Sequence, residues 1–375
     1  MPTIITKDTL RASVEAATGG ACTVLYDSGG FANYMRIIPK FNCEDIDASL
    51  GTGVHPAFMV GGVEKSEIFV SQYLAVEMGG LGVSQPGMYP NSSGASLSAI
   101  RTKCANKGAG WHLMSNWEWA AIALICVKNG TIPRGNSNYG RSHLLPHETG
   151  RRYDGGTPGA VVADNEGSNA IIYNGSGSAS WRHDHTFAGI SDLVGNNWHL
   201  LDGMKLVEGQ IVMTPDNHYD LPEASWANSG IFFDVGSIPP ADRWSASSEF
   251  SVNGVTANTM NAQVDGGVLQ LAESIINRSG TPGSDALGNF AYRPIAEITA
   301  SLGGNDSAKT HTVKRSSILP YAPATNPAGG NIAVRNYGTR SLVRGGWFNG
   351  GLFGDFYMVT PLANPGFFYR PVFIL

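Results

Sequence analysis

The chain has 375 residues, 42% of them hydrophobic and 15% charged, with 25 basic and 30 acidic side chains for a net charge of −5. That apolar content excludes a disordered polymer, and the lack of ~20 consecutive apolar residues excludes a membrane-spanning helix. The absence of any Lys/Arg run argues against nucleic acid as the partner, since phosphate binding needs a basic footprint.

Residues 1–50 read as an N-terminal segment, broken at Gly19-Gly20 and Gly29-Gly30, that supplies a few strands or an assembly arm. It has scattered charges and no apolar core, so no secretory signal is expected. The location stays open between the cytoplasm and an exterior reached by assembly into a larger particle. Ile68 to Tyr73 has the β-branched and aromatic composition of a strand. A helix is predicted over Leu97 to Asn106, with Leu97, Ile100 and Cys104 on one face and Gly108 as its stop. A second helix spans Asn116 to Asn129. Ser115 is its N-cap and Glu118 completes a capping box. Trp117, Ala120, Ala121, Leu124 and Ile125 form an apolar stripe, and Gly130 is the left-handed cap.

Two insertion-like stretches follow, near 131–188 and 214–327. The first is long and aperiodic, as functional or ion-organised loops are. The second contains an alternating segment over Phe250 to Ala257 and a predicted short helix over Gly267 to Asn277. The chain closes with a Gly- and aromatic-rich segment, 338–375. No internal repeat is present.

Several chemistries have no sequence support. There is no G-x-S-x-G elbow, no phosphate-binding G-x-x-x-x-G-K-[ST] and no G-x-G-x-x-G. Asp27-Ser28-Gly29-Gly30 matches a serine-protease tetrapeptide without the flanks of that fold. His143 and His147 have H-x3-H spacing, but Pro146 between them spoils the helical turn that would aim both at one metal. His183-Asp184-His185 is a second polar cluster, and both are read as loop residues satisfying backbone groups. Cys22, Cys43, Cys104 and Cys126 contain no C-x-x-C pair, so a zinc site is not expected. Two disulfides and reduced buried thiols are both consistent with their spacing.

Three segments, in order, carry a resemblance. Gly110-Trp111-His112-Leu113-Met114-Ser115-Asn116-Trp117-Glu118-Trp119-Ala120 resembles the G-W-R-L-P-T-x-x-E-W-E-x-A stretch of formylglycine-generating-enzyme-like, or sulfatase-modifying-factor, domains. Gly189 to His199, with Asp192, Gly195, Asn196 and Trp198, resembles their D-x-x-G-N-V-W-E-W motif. Arg344-Gly345-Gly346-Trp347-Phe348-Asn349, ending in Tyr369-Arg370-Pro371-Val372-Phe373, resembles their closing R-G-G-S-W … G-F-R motif. The resemblance implies an α+β, C-type lectin-like fold over 51–375, with two helices, a small antiparallel sheet and long irregular loops. Formylglycine chemistry needs cysteines late in the domain. None follows Cys126, and a thiolate reaction needs a thiol, so no catalytic residue is expected.

A non-catalytic member with this C-terminus looks like the variable proteins of diversity-generating retroelements, including phage major tropism determinants. That implies a ligand-binding surface at Trp347, Phe348, Leu352, Phe353, Asp355, Tyr357, Met358, Thr360, Asn364, Phe367 and Phe368, where aromatic side chains give large contact area at low entropic cost. The implied partner is a protein or glycan on a cell surface, with no nucleic acid, no membrane insertion, and room for a homo-oligomer. No cofactor is required; the resemblance allows Ca²⁺, with Asp192, Asn196 and Asn197 as oxygen donors. Asn196 and Asn197 can equally satisfy backbone groups in a tight turn. The rival expectations are a formylglycine-generating-like or iron-dependent oxidase of the same fold, and a structural phage protein with a lectin-like decoration.

Overall fold

A computed structural model of the chain describes residues 8–90, 96–162, 170–235, 251–252, 255–256, 269–275, 290–295, 298–305, 307–319, 321, 331–336, 338–346 and 367–375. Asp8 caps α1 (Thr9–Ala17) by accepting the Arg11 amide at 2.8 Å. β1 (Cys22–Tyr26) then turns through Asp27–Gly30 into β2 (Ala32–Pro39), antiparallel from Cys22 opposite Arg36 to Tyr26 opposite Ala32. After α2 (Cys43–Ile46) and the short hairpin of β3 (Met59–Val60) and β4 (Val63–Glu64), β5 (Glu67–Ser71) joins β2. β6 (Ala75–Met78) and β7 (Leu81–Ser84) form a hairpin across Gly79 and Gly80, at φ 57° and 80°. Such a two-residue turn needs positive φ at both positions, hence two glycines.

α3 (Leu97–Ala105) buries Ile100 and Cys104 as its spacing predicts, and leads into β8 (Trp111–Leu113) and α4 (Asn116–Asn129). The capping box of α4 is present: Glu118 N donates to Ser115 Oγ at 3.2 Å and Ser115 N to Glu118 Oε2 at 2.8 Å. Gly130 takes the left-handed cap at φ 66°. One expectation is corrected. Every residue from Asn116 to Leu124 is buried, so α4 is a central helix packed on all sides rather than one with a single apolar stripe. A helix apolar or satisfied all round belongs inside the core.

The remaining strands are β9 (His199–Val207), β10 (Gln210–Met213), β11 (Ala227–Val235), β12 (Ser251–Val252), β13 (Val255–Thr256), β14 (Leu269–Ala272), β15 (Phe290–Pro294) and β16 (Thr299–Ser301). Then come α5 (Ala308–Arg315), β17 (Asn331–Arg335), β18 (Thr339–Arg344) and β19 (Pro371–Phe373). Two sheets dominate. One has the order β1-β2-β5-β19-β8, the other β16-β14-β11-β10-β9-β18, antiparallel except for the β14/β16 pair. The class is therefore α+β. The N-terminal segment supplies strands to the first sheet, alongside the last strand of the chain. The predicted helix over Gly267 to Asn277 is corrected where it is described. Residues 269–272 are a strand, with Leu269 and Leu271 buried on one face and Gln270 between them. That two-residue alternation outweighs helix propensity once β11 offers a pairing edge.

The main core lies between the sheets and around α4. Ile68 and Val70 of β5, Val372 of β19, Trp117, Trp119 and Ile122 of α4, Leu201 and Leu206 of β9 and Leu342 of β18 all belong to it. All four cysteines are buried and free. Burial pushes the Cys43 thiol up to about 11 and that of Cys104 up to about 12.

Candidate ligand-binding site

The closing motif is a set of buried anchors. Arg344 ends β18 and is 1% exposed. Its Nε donates to Asn116 Oδ1 at 3.0 Å, Nη1 to Ser317 O at 3.1 Å and Nη2 to Ser316 O at 3.0 Å. A cation thereby satisfies carbonyls left open at the C-terminal end of α5, where the helix dipole favours positive charge. Gly345 follows at φ 80°, and a Cβ there would lie 2.5 Å from Leu193 O and 3.1 Å from the Trp119 ring. Gly195 N donates to Gly345 O at 2.8 Å and to Gly346 O at 3.0 Å.

The other anchor is the 367–371 stretch. Phe368 N donates to Trp198 O, and Leu200 N to Phe368 O, both at 2.9 Å. Arg370 donates through Nη1 to Ser71 O and through Nη2 to Ser191 O, each at 2.7 Å. Burial lowers the Arg370 pKa to about 10. Gly345-Gly346 and Phe368–Arg370 are thus hydrogen-bonded to one stretch, Ser191 to Leu200, which is itself braced by Asn196.

Of the expected surface residues, Trp347, Phe348, Leu352, Phe353, Asp355, Tyr357, Met358, Thr360 and Asn364 lie outside the described residues. Phe367 and Phe368 are corrected. They are 7% and 0% exposed, and Phe367 sits 6.2 Å from the Trp198 ring. Both flank the hydrogen bonds that fasten this end to β9, so their rings pack inward instead of facing solvent.

The expected calcium donors are occupied by protein groups. Asn196 stands at φ 66°, and its Oδ1 accepts from Ile172 N at 2.9 Å and Asn136 Nδ2 at 3.1 Å. Asn197 Oδ1 accepts from Trp198 N at 2.7 Å, and Asp192 Oδ2 from Gly175 N at 2.9 Å. Asn197 thus serves the amide next to it in the turn, while Asn196 and Asp192 tie the turn to amides 24 and 17 residues away. Among the described residues no group of three or more His, Cys, Asp or Glu side chains is placed to hold a metal ion.

The histidine clusters also bond locally. His183 Nδ1 accepts from Ile190 N at 2.9 Å, His185 Nε2 meets Ile132 O at 3.1 Å, and His143 Nδ1 meets Ser137 Oγ at 2.6 Å. The long 131–162 loop is organised by arginine. Arg134 pairs with Glu148, whose carboxyl is held down at about 2 chiefly by that hydrogen bond. Arg152 binds Asp154 and the carbonyls of Thr157 and Ala160.

A buried polar network escapes sequence reasoning. His112 stacks on Tyr219 at 3.9 Å, and its Nε2 meets Glu118 Oε1 at 2.8 Å, where Asn217 Nδ2 also donates at 2.8 Å. Beside it Asp202 pairs with Arg101 at 2.8 Å, and burial pushes the Asp202 carboxyl up to about 6 against that cation. Ser115 and Glu118 are legible as a capping box, but nothing local marks Asn217 or Tyr219 as their partners. His112, Glu118, Asn217 and Asp202 are buried while Tyr219 and Arg101 are half-buried at its edge, and the network ties α4 to the 217–219 turn. His199 is also enclosed, edge-on to Trp119 at 5.3 Å, with no hydrogen-bond partner on either ring nitrogen. Comparison with models of known protein families found no match, and comparison with curated protein sequences found none.

Proposed function

We propose that this chain is a non-catalytic binding protein of the C-type lectin-like fold, similar to the variable proteins of diversity-generating retroelements. In this reading the segment from Trp347 to Asn364 presents a diversified surface to a protein or glycan on a cell. One observation carries the reading: the described residues that flank the segment in sequence, Arg344–Gly346 and Phe367–Arg370, are buried and hydrogen-bonded to the scaffold. A scaffold of that kind tolerates change between its anchors, because surface substitutions away from caps and cores usually cost about 0.5 kcal/mol or less. The frame spends its own arginines and glycines on backbone contacts, which leaves recognition to the residues between them. The protein acts as a phage tail-tip binder or a bacterial variable protein.

The enzyme alternative is less well supported. Four buried thiols, raised by desolvation, are poor nucleophiles, since reactive cysteines are partly exposed and have lowered pKa. Sequencing the flanking genome tests the proposal. A reverse-transcriptase gene and a near-copy of the segment coding for 338–375 are expected beside this gene. A locus with neither would count against diversification and favour a structural role.

A further inference from the structure

Lys107, Asn33 and Asp27 form a closed triad that the binding role does not use. The side chains of Lys107 and Asp27 are fully buried, and Asn33 is 0% exposed. Lys107 Nζ donates to Asn33 Oδ1 at 2.9 Å and to Asp27 Oδ2 at 2.7 Å. Asn33 Nδ2 donates to the same Asp27 oxygen at 3.0 Å. One carboxylate oxygen therefore touches both an amine and the nitrogen of the carboxamide beside it. Ser84 N donates to Asn33 Oδ1 at 3.0 Å, which fixes the orientation of the amide and aims a donor at its oxygen. The Trp111 ring lies 4.5 Å from Nζ, and Gly82 O accepts a third bond from it at 2.6 Å.

We infer that Lys107 and Asn33 join spontaneously in an intramolecular isopeptide bond, with Asp27 as the proton carrier. Asp27 takes a proton from the Lys107 ammonium, leaving a neutral amine. The amine nitrogen attacks Cγ of Asn33, one bond from the oxygen it already touches, and the developing oxyanion faces the Ser84 amide. The attacking nitrogen gives up a proton as the carboxamide nitrogen gains one, the old C–N bond breaks, and ammonia leaves. Ammonium, carboxylate and carboxamide become an amide, a protonated Asp27 and one ammonia, so atoms and charge balance. No oxidant or cofactor is needed.

The environment favours each step. Desolvation pulls Lys107 below its ordinary range, toward the reactive neutral amine. On Asp27, burial acts upward but the bonds from Lys107 and Asn33 outweigh it, so the carboxyl lies below its ordinary range and starts as the base. Afterwards no unpaired charge is left inside, whereas a buried ion pair must be held against a desolvation cost. The bond would close a covalent loop from β2 to the residue after Asn106 at the end of α3.

Intact-mass spectrometry of the purified full chain, followed by tryptic mapping, tests the inference. The expected mass is lighter than the sequence by one ammonia, with the Asn33 and Lys107 peptides linked. Lys107→Arg and Asp27→Ala should restore the full mass, and Asn33→Asp should lose water instead. An unmodified wild-type mass with separate peptides overturns the inference and leaves an ordinary buried ion pair. So does a mass loss that persists in Lys107→Arg. The wild-type mass and peptide map decide the matter even if the variants fail to fold.

Discussion

Acidification from pH 7 to pH 5 is expected to weaken this fold through imidazoles that must stay neutral. His55 Nδ1 accepts from Ala57 N at 3.2 Å while its Nε2 faces Arg315 O at 2.9 Å, and His183 Nδ1 accepts from Ile190 N. A proton on either Nδ1 would set two donors against each other. Burial accordingly lowers both groups to about 4 and His199 well below its ordinary 6.5. Below pH 6.5 the unfolded chain binds protons that the folded chain refuses. Their stabilising contribution is thus complete above 6.5 and is lost as pH falls toward 4. At ~1.4 kcal/mol per pH unit, His55 and His183 together cost about 4 kcal/mol at pH 5.

Asp202 works the other way. Burial raises it from 3.8 to about 6, so the folded state holds a proton there that the unfolded state releases. Falling from pH 6 to 5 therefore returns roughly 1.4 kcal/mol. The net loss is about 2 to 3 kcal/mol before His199 is added, a large share of the ~5–15 kcal/mol typical of domains. Urea unfolding followed by tryptophan fluorescence at both pH values measures it, with His55→Gln and His183→Gln expected to flatten the pH dependence. A midpoint at pH 5 equal to or above that at pH 7 would refute the reasoning.

Other outcomes follow from the packing. Trp117→Ala should destabilise by ~3–5 kcal/mol, the cost of removing a buried aromatic, with Thr214 O also losing the indole donor 3.1 Å away. An unchanged melting temperature would place Trp117 outside the core. Gly345→Val should abolish soluble expression, because its Cβ meets the Leu193 carbonyl and its φ is positive; normal yield would show that the turn can re-form. Melting curves in EDTA and in Ca²⁺ should coincide if Asn196 and Asn197 serve only the backbone, and a calcium-dependent rise would restore the ion to the account.

Much of this architecture is legible in the sequence where one residue type answers one local demand. Ser115 with Glu118, and Gly130, each meet a backbone requirement that only a few residues meet. Arg344 and Arg370 stand out because a buried guanidinium needs several carbonyls, and loops provide them. What escapes is set by distance in the chain. Asn217 reaches Glu118 across 99 residues, and no periodicity signals that meeting. The strand at 269–272 depends on an edge offered by β11. Phe367 and Phe368 pass for surface aromatics because composition cannot tell an anchor from the segment it anchors; their pairing with β9 decides it.

The central claim is that residues between the two anchors recognise a ligand while the anchors hold the fold. A library randomised at Trp347, Phe348, Leu352, Asp355 and Tyr357, scored separately for folded yield and for binding to host cells or a glycan array, tests it most directly. Most members should fold with a near-native melting temperature, and most should lose or change their binding, since a few aromatic anchors carry most of an interface's energy. A library whose members mostly fail to fold, or fold and bind as the parent does, would contradict it.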